Sequence, residues 1–328
     1  MWTLRTLAVF LVLTAGFAVA QNAADAQLPA NPQPQASAPS QPPIGTGPSV
    51  AAPSQSPPAA KAQASTDGQA APVIPAAAER HYHAARMAER QKDYPNAILE
   101  YRAALKEYPD YIDALSHLAN VLVERGDYTG AVANLRQMVM LKPNDANARN
   151  DLGYALKKNG DSKGAAAEYL QAIKLNPRLA VAHNNLANLL YASHLYSQAI
   201  EHYKAAVELQ PSNAEARMNL ATCLDVTGKT DEAILQYKEA VKLRPNDANI
   251  HYNLAIALQN NKEPGAAVNE LVTATKLSPD WLAPHMMLYK LLKDSDPKTA
   301  LDECMMVDGL SHDAKLHDEC LALQKKAQ

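Results

Sequence analysis

Residues 146–179 read ANARNDLGYALKKNGDSKGAAAEYLQAIKLNPRL, and residues 180–213 read AVAHNNLANLLYASHLYSQAIEHYKAAVELQPSN. Laid one over the other, Leu152 falls on Leu186, Leu156 on Leu190, Ala165 on Ala199, Tyr169 on Tyr203 and Pro177 on Pro211. The step is 34 residues, and it continues outward in both directions. Pro109, Pro143, Pro177, Pro211, Pro245 and Pro279 keep it, as do Ala97, Ala131, Ala165, Ala199, Ala233 and Ala267. A third series is Ala85, Ala119, Gly153, Ala187, Ala221 and Ala255; a fourth is Tyr101, Leu135, Tyr169, Tyr203, Tyr237 and Leu271. Four series in register exceed what an Ala-rich background produces by accident, so the period reflects an architecture.

Within one period the pattern is helix, short turn, helix. The i, i+4 pairs Leu118/Leu122, Leu152/Leu156, Leu186/Leu190, Leu220/Leu224 and Leu254/Leu258 mark the buried stripe of a first helix. Gly126-Asp127, Asn159-Gly160-Asp161 and Thr227-Gly228-Lys229 follow as turns. In them Gly takes the left-handed conformation, and Asp127, Asp161 or Thr230 caps the next helix. The second helix carries an Ala, Tyr/Leu, Ala stripe and ends at the periodic proline, which has no N–H to continue it. Asn144-Asp145, Ser212-Asn213 and Asn246-Asp247 are placed to cap the helix after that. The small residues let two axes approach closely, and the Tyr or Leu one turn away fills the space beside the contact. A single hairpin cannot enclose its own apolar stripe, so neighbours must stack.

This pattern closely resembles the tetratricopeptide repeat family, with complete repeats at 78–111, 112–145, 146–179, 180–213, 214–247 and 248–281. A degenerate seventh unit starts at Leu282 and keeps Leu288 and Leu292, while the first repeat is weak at its start, with His81, Ala84 and Ala88. The resemblance implies an all-α fold: a tetratricopeptide-type right-handed superhelical solenoid of helix-turn-helix repeats, its first helices lining a concave wall. The expected organisation is a signal peptide at 1–20, a disordered Ala/Pro/Gln/Ser-rich linker at 21–75, repeats over 76–281, and a degenerate repeat with capping helices over 282–328.

The wall is read from first-helix residues off the apolar stripe. Asn185, Asn219 and Asn253 recur at one repeat position, which Asp151 and His117 hold in earlier repeats. Asn120 and Asn188 lie one turn further along, and Asn184 neighbours Asn185. A side-chain amide donates and accepts at once, so it suits the backbone of an extended peptide. Similar ladders in the family's glycosyltransferase and nuclear-import relatives hold peptide backbone. Tyr82, Tyr154, Tyr191 and Tyr252 offer flat, partly polar contact area nearby. The alternative is that these Asn side chains bond only to neighbouring helices. The family's carboxylate clamp is not met, because its positions hold Ser116, Asn147 and Asp151.

Chemistry beyond binding has little support. His81, His183, His251 and His285 share the fourth position of their units, which marks them as packing residues. Asp313, His317 and Cys320 fall on one helical face, compatible with a metal, yet the ordinary polarity of a capping helix explains them too. No phosphate-cradling loop or nucleophile elbow appears, so the expectation is a non-enzymatic protein with no cofactor and no small-molecule substrate. Cys304 and Cys320 fall on successive predicted helices flanking Asp308-Gly309; in an oxidising compartment a disulfide between them would pin the end of the array, contributing roughly 3 kcal/mol. Cys223 reads as a lone buried thiol. A terminal helix over 311–325 is expected to cover the last apolar face with Leu316, Leu321 and Leu323.

Export is read from the N-terminus. Arg5, the apolar stretch Leu7–Val19 and Ala18-Val19-Ala20 compose a secretory signal, too short for the roughly 20 residues a bilayer crossing needs. An uncleaved anchor over 7–20 is the alternative. More than half of the 22 prolines fall in 21–75, a segment with little to bury and hence an extended spacer. The net charge of −3 is interspersed, without a basic block, which argues against nucleic acid. The expected role is capture of an extended peptide or partner protein in the periplasm or outside the cell. Two alternatives remain at this stage: a membrane-tethered subunit of a secretion, pilus or polysaccharide-export assembly, and a substrate-binding accessory of a separate enzyme such as a glycosyltransferase.

Overall fold

The computed structural model describes residues 73–311 and 314–327. The expected signal peptide, all of the linker before Val73, and His312 and Asp313 lie outside the described residues. Among the described residues there are fifteen helices and no strand. They are α1 (Ala76–Arg90), α2 (Tyr94–Glu107), α3 (Ile112–Glu124), α4 (Tyr128–Leu141), α5 (Ala146–Lys158), α6 (Ser162–Leu175), α7 (Ala180–Ala192) and α8 (Tyr196–Leu209). There follow α9 (Ala214–Val226), α10 (Thr230–Leu243), α11 (Ala248–Asn260), α12 (Pro264–Leu277), α13 (Leu282–Leu292), α14 (Pro297–Ser311) and α15 (Ala314–Ala327). Two compact units part between Leu189 and Leu190, inside α7. In the first, α1 to α6 each lie against the next helix; in the second, α8 to α15 do the same.

The two alanine series and the Tyr/Leu series form the core of each unit, while the periodic prolines are exposed. Every alanine of the second and third series is fully buried, and Tyr101, Tyr169, Tyr203 and Leu271 are too. The leucine pairs of the first helices are all buried. Turn chemistry sets the hairpins. Asp145 accepts from the Asn147 and Ala148 amides at 2.9 and 3.1 Å, Asn213 from Ala216 at 3.1 Å and Asp247 from Asn249 at 3.0 Å. Asp127 and Asp161 cap α4 and α6, each accepting from a Gly amide at 2.8 Å. Each such cap contributes about 1 kcal/mol. Thr230 departs from the expectation. It is the first residue of α10 and its hydroxyl donates to Asp225 at 2.9 Å, while Lys229 stands at the cap without a side-chain bond.

The left-handed residue of the turn recurs in all six complete repeats. Gly126, Gly160 and Gly228 hold it with φ of 77°, 89° and 80°; Lys92, His194 and Lys262 hold it with φ of 59°, 60° and 60°. The geometry belongs to the fold, and glycine is its relaxed occupant.

The periodic proline also serves the following helix. Its carbonyl accepts from the fourth residue of the next repeat: Arg149 Nε to Pro143 at 3.0 Å, Arg217 Nε to Pro211 at 2.9 Å. His183, His251 and His285 reach Pro177, Pro245 and Pro279 from Nε2 at 3.0, 2.9 and 2.9 Å. These histidines are buried, as packing residues should be, and they also tie each first helix to the turn before it.

The end of the second unit corrects the sequence reading in three places. Helix α14 runs straight through Asp308-Gly309, the terminal helix begins at Ala314, and Leu321 is 42% exposed. Leu316 and Leu323 do cover the last face, in a cluster with Tyr289, Ala300, Cys304, Val307 and Cys320. Cys304 and Cys320 are disulfide-bonded, with Cα atoms 5.6 Å apart. Cys320 is therefore committed to sulfur, and His317 Nδ1 meets Asp308 at 2.7 Å.

Candidate functional site

The first helices of successive repeats stand side by side and touch through polar side chains. In the first unit Arg86 of α1 donates to His117 of α3 at 2.9 Å, and Asn185 of α7 donates to Asn150 of α5 at 3.0 Å. In the second, Asn260 of α11 donates to Asp225 of α9 at 3.0 Å. These first-helix walls, one in each unit, hold the residues singled out for binding.

Asn120, Asn184, Asn185 and Asn188 stand on the wall of the first unit, all half-buried. Asn185 spends one amide hydrogen on Asn150, and the Asn184 carbonyl oxygen is buried without a hydrogen-bond partner. In the second unit Asn253 is half-buried, but Asn219 is 2% exposed and not offered to a ligand. Helical phase placed Asn219 on the same face as Asn185; the packing around α9 closes over it.

The aromatic residues differ in a similar way. Tyr82 is engaged in the first unit: Arg86 donates to its hydroxyl at 3.1 Å, and Tyr111 lies at a ring distance of 4.9 Å. Tyr154 is half-buried with the Lys158 ammonium 5.6 Å from its ring centre. In the second unit Tyr191 meets Tyr196 edge-on at 5.4 Å, and Tyr252 is 9% exposed beneath Trp281, 4.7 Å away. Tyr252 is thus buried, whereas Tyr82, Tyr154 and Tyr191 are half-buried and keep surface.

Two features were missed from sequence. Asn150, adjacent to the ladder position, is 5% exposed and links it to Asp151: its amide donates to the Asp151 carboxylate at 3.1 Å. Burial pushes the Asp151 carboxyl up to about 6; the Asn150 amide opposes this, and Asp145 adds to it. The second is Tyr169 of α6, fully buried, its hydroxyl without a hydrogen-bond partner. Tyr237 at the equivalent place pairs with the Thr222 hydroxyl at 2.9 Å, and Tyr101 donates to Glu89. Cys223 in α9 is a buried free thiol whose pKa burial pushes up to about 12, which leaves it unreactive.

Sequence models described as tetratricopeptide repeats match residues 57–112 and 184–248, 146–179, and 236–269, and one described as a TPR repeat matches 119–160. No curated protein matches the chain. Among solved structures, Pseudomonas aeruginosa pilF is 21% identical, covering 64% of this chain and 96% of its own, with a TM-score of 0.56. A tetratricopeptide repeat protein from Parabacteroides merdae is 15% identical, covering 75% of this chain and 98% of its own, also at 0.56. YrrB, described as a TPR protein with an unusual peptide-binding site, is 22% identical, with coverage of 59% and 97% and a TM-score of 0.49. At these identities the likeness is one of fold.

Proposed function

The chain belongs to the tetratricopeptide repeat family, and from that premise we propose that it is an exported scaffold that captures an extended peptide or peptide segment of a partner protein on its first-helix wall. The observation that carries this is the set of half-buried amides Asn120, Asn184, Asn185 and Asn188 on the first helices of the first unit, which also carry the half-buried Tyr154. Amides at this depth are shielded enough for a hydrogen bond to count, and open enough to take one from a ligand backbone. Export is supported by the signal-like residues 1–20 and by the Cys304–Cys320 bond, which belongs in an oxidising compartment.

The test is fluorescence anisotropy with dye-labelled, blocked decapeptides of Ala, Ser and Gln, beside the same peptides N-methylated along the backbone. Backbone recognition makes the methylated series weaker by about tenfold or more, since each lost net bond is worth about 1 kcal/mol. Replacing Asn120, Asn184 and Asn188 by Ala weakens the unmethylated series and leaves helicity and melting in place. Asn219 is kept intact in this variant because it is core. Equal binding of both peptide series, or full binding by the triple variant, removes the proposal.

A further inference from the structure

We propose that His117 is a proton-operated latch on Arg86: unprotonated, it holds that guanidinium against the wall of the first unit, and protonated, it releases it, so that this end of the wall favours an acidic side chain in acid. The latch stands on hydrogen-bond geometry; its consequence for a ligand rests on the peptide-capture reading.

The direction of one hydrogen bond sets the closed state. Arg86 Nη1 lies 2.9 Å from His117 Nε2. A guanidinium has donors and no acceptor, so Nε2 accepts and carries no proton. His117 is therefore neutral here, with its one ring proton on Nδ1. That nitrogen is 3.3 Å from Glu89 Oε2, and Arg86 Nε is 3.5 Å from the same oxygen. The oxygen already accepts from the Tyr101 hydroxyl, and both nitrogens are buried without a hydrogen-bond partner. One carboxylate oxygen thus faces three donors, from α1, α2 and α3.

A second proton on the ring changes the arrangement at one atom. Nε2–H then faces an Arg86 N–H at the same 2.9 Å separation, donor against donor and cation against cation, a contact that cannot persist. The guanidinium leaves His117, and the imidazolium turns to Glu89 as a charged pair. Arg86 has room to move: its side chain is 33% exposed, and what holds it to the wall otherwise is the Tyr82 hydroxyl at 3.1 Å and the face of the Tyr82 ring. One cation beside one anion becomes two cations beside one anion.

The other groups around His117 leave this logic intact. The Tyr82 ring of α1 and the Tyr101 ring of α2 lie 6.0 and 5.9 Å away. Arg136, the charged side chain of α4, is exposed, as are Asp113 and Glu124 on α3 itself. At the equivalent place on α5, Asp151 is bonded to Asn150. The repeat register marks the pair as particular to this end: Arg86 occupies the place of Asn120 and Asn188, and His117 that of Asn185. The amide link from Asn185 to Asn150 does not titrate, whereas the link between the first two first helices does.

The full-length chain, labelled with nitrogen-15, is followed by ring-nitrogen correlation spectra from about pH 8 to about pH 5.5, the span in which an imidazole changes charge; His117→Gln identifies the resonance. At the alkaline end His117 shows Nδ1 protonated and Nε2 bare, and the Arg86 Nε–H resonance moves as the ring titrates. In parallel the blocked decapeptides above carry one central Glu or Gln. On acidification the Glu peptide gains about threefold over the Gln peptide, the scale of a partly exposed charge pair. His117→Gln, whose carbonyl oxygen accepts from Arg86 at every pH, abolishes that gain. A proton on Nε2 at the alkaline end, or an Arg86 resonance indifferent to the titration, overturns the latch whether or not a peptide binds. A Glu gain that survives His117→Gln overturns its link to capture. If no peptide binds at all, the capture reading fails, and the ring spectra alone uphold or overturn the latch.

Discussion

His251 does in the sixth repeat what Arg217 does in the fifth. Arg217 donates to the Pro211 carbonyl at 2.9 Å and to Gln236 at 3.0 Å; His251 contacts Pro245 at 2.9 Å and Glu270 at 2.6 Å. Arg149 and His285 repeat the arrangement with Glu168 and Glu303. The position wants two donors aimed at two acceptors: the turn carbonyl behind it and the second helix beside it. Occupying both from an imidazole takes a proton on each ring nitrogen, whereas a guanidinium always has donors to spare. His251→Arg is therefore expected to keep the stability of the parent, and His251→Ala to lower it by about 1–3 kcal/mol, the cost of stranding buried partners. Urea unfolding followed by circular dichroism separates the two; an Arg variant as damaged as the Ala variant would show that the pocket reads ring shape instead.

The left-handed turn position yields a prediction with the opposite sign. Lys262 and His194 adopt φ near 60° without being glycine, at a cost of about 1 kcal/mol each. Lys262→Gly and His194→Gly are expected to raise stability by about 0.5–1 kcal/mol each, less than that cost because glycine loses more entropy on folding. Gly228→Ala, with φ of 80°, is expected to destabilise by a comparable amount, although nothing lies within 4 Å of its added Cβ. Thermal melts of the three variants check the pattern.

These positions show how much of the molecule the sequence exposes. The repeat, the buried stripes and the Asp caps were readable because each recurs with a residue type that has one dominant physical use. Lys92, His194 and Lys262 were not flagged as turn residues, since only glycine announces a left-handed backbone; their place in register with Gly126, Gly160 and Gly228 was the available signal. The fourth-position histidines were recognised as packing residues, but their proline contacts were not, though Arg149 and Arg217 in the same slot hinted at a polar role. Asn219 was grouped with Asn185 because helical phase fixes direction, while depth depends on the neighbouring helices. Tyr169 drew notice only as a core aromatic; the pairing of Gly153 with it, where other tyrosines face alanine, was the clue to its hydroxyl.

The Cys304–Cys320 bond joins the last two helices within a small cluster of buried residues. In a stacked array a terminal element has a neighbour on one side alone, so it frays first. Reduction, or Cys304→Ser with Cys320→Ser, is expected to loosen α15 by up to about 3 kcal/mol on the chain-entropy account. Limited trypsinolysis reads this out: cleavage after Lys315 accelerates at least tenfold under reducing conditions, while cleavage after Lys238 in α10 keeps its rate. Equal acceleration at both places would mean that the bond supports more than the cap.

Asp151 makes the stability of the fold depend on pH. Its carboxyl titrates at about 6 in the folded protein because burial disfavours the charge, against about 3.9 in an unfolded chain. The folded state thus binds more protons than the unfolded state between those values, and stability falls as pH rises through that window, then levels off above it. At pH 7.5 the ionised group costs up to about 2–3 kcal/mol relative to its neutral form. Asp151→Asn, neutral at every pH and close in shape, is expected to melt several degrees higher than the parent at pH 7.5 and to match it near pH 4. A variant no more stable than the parent at pH 7.5 would mean that Asp151 already has the solvation or countercharge it needs.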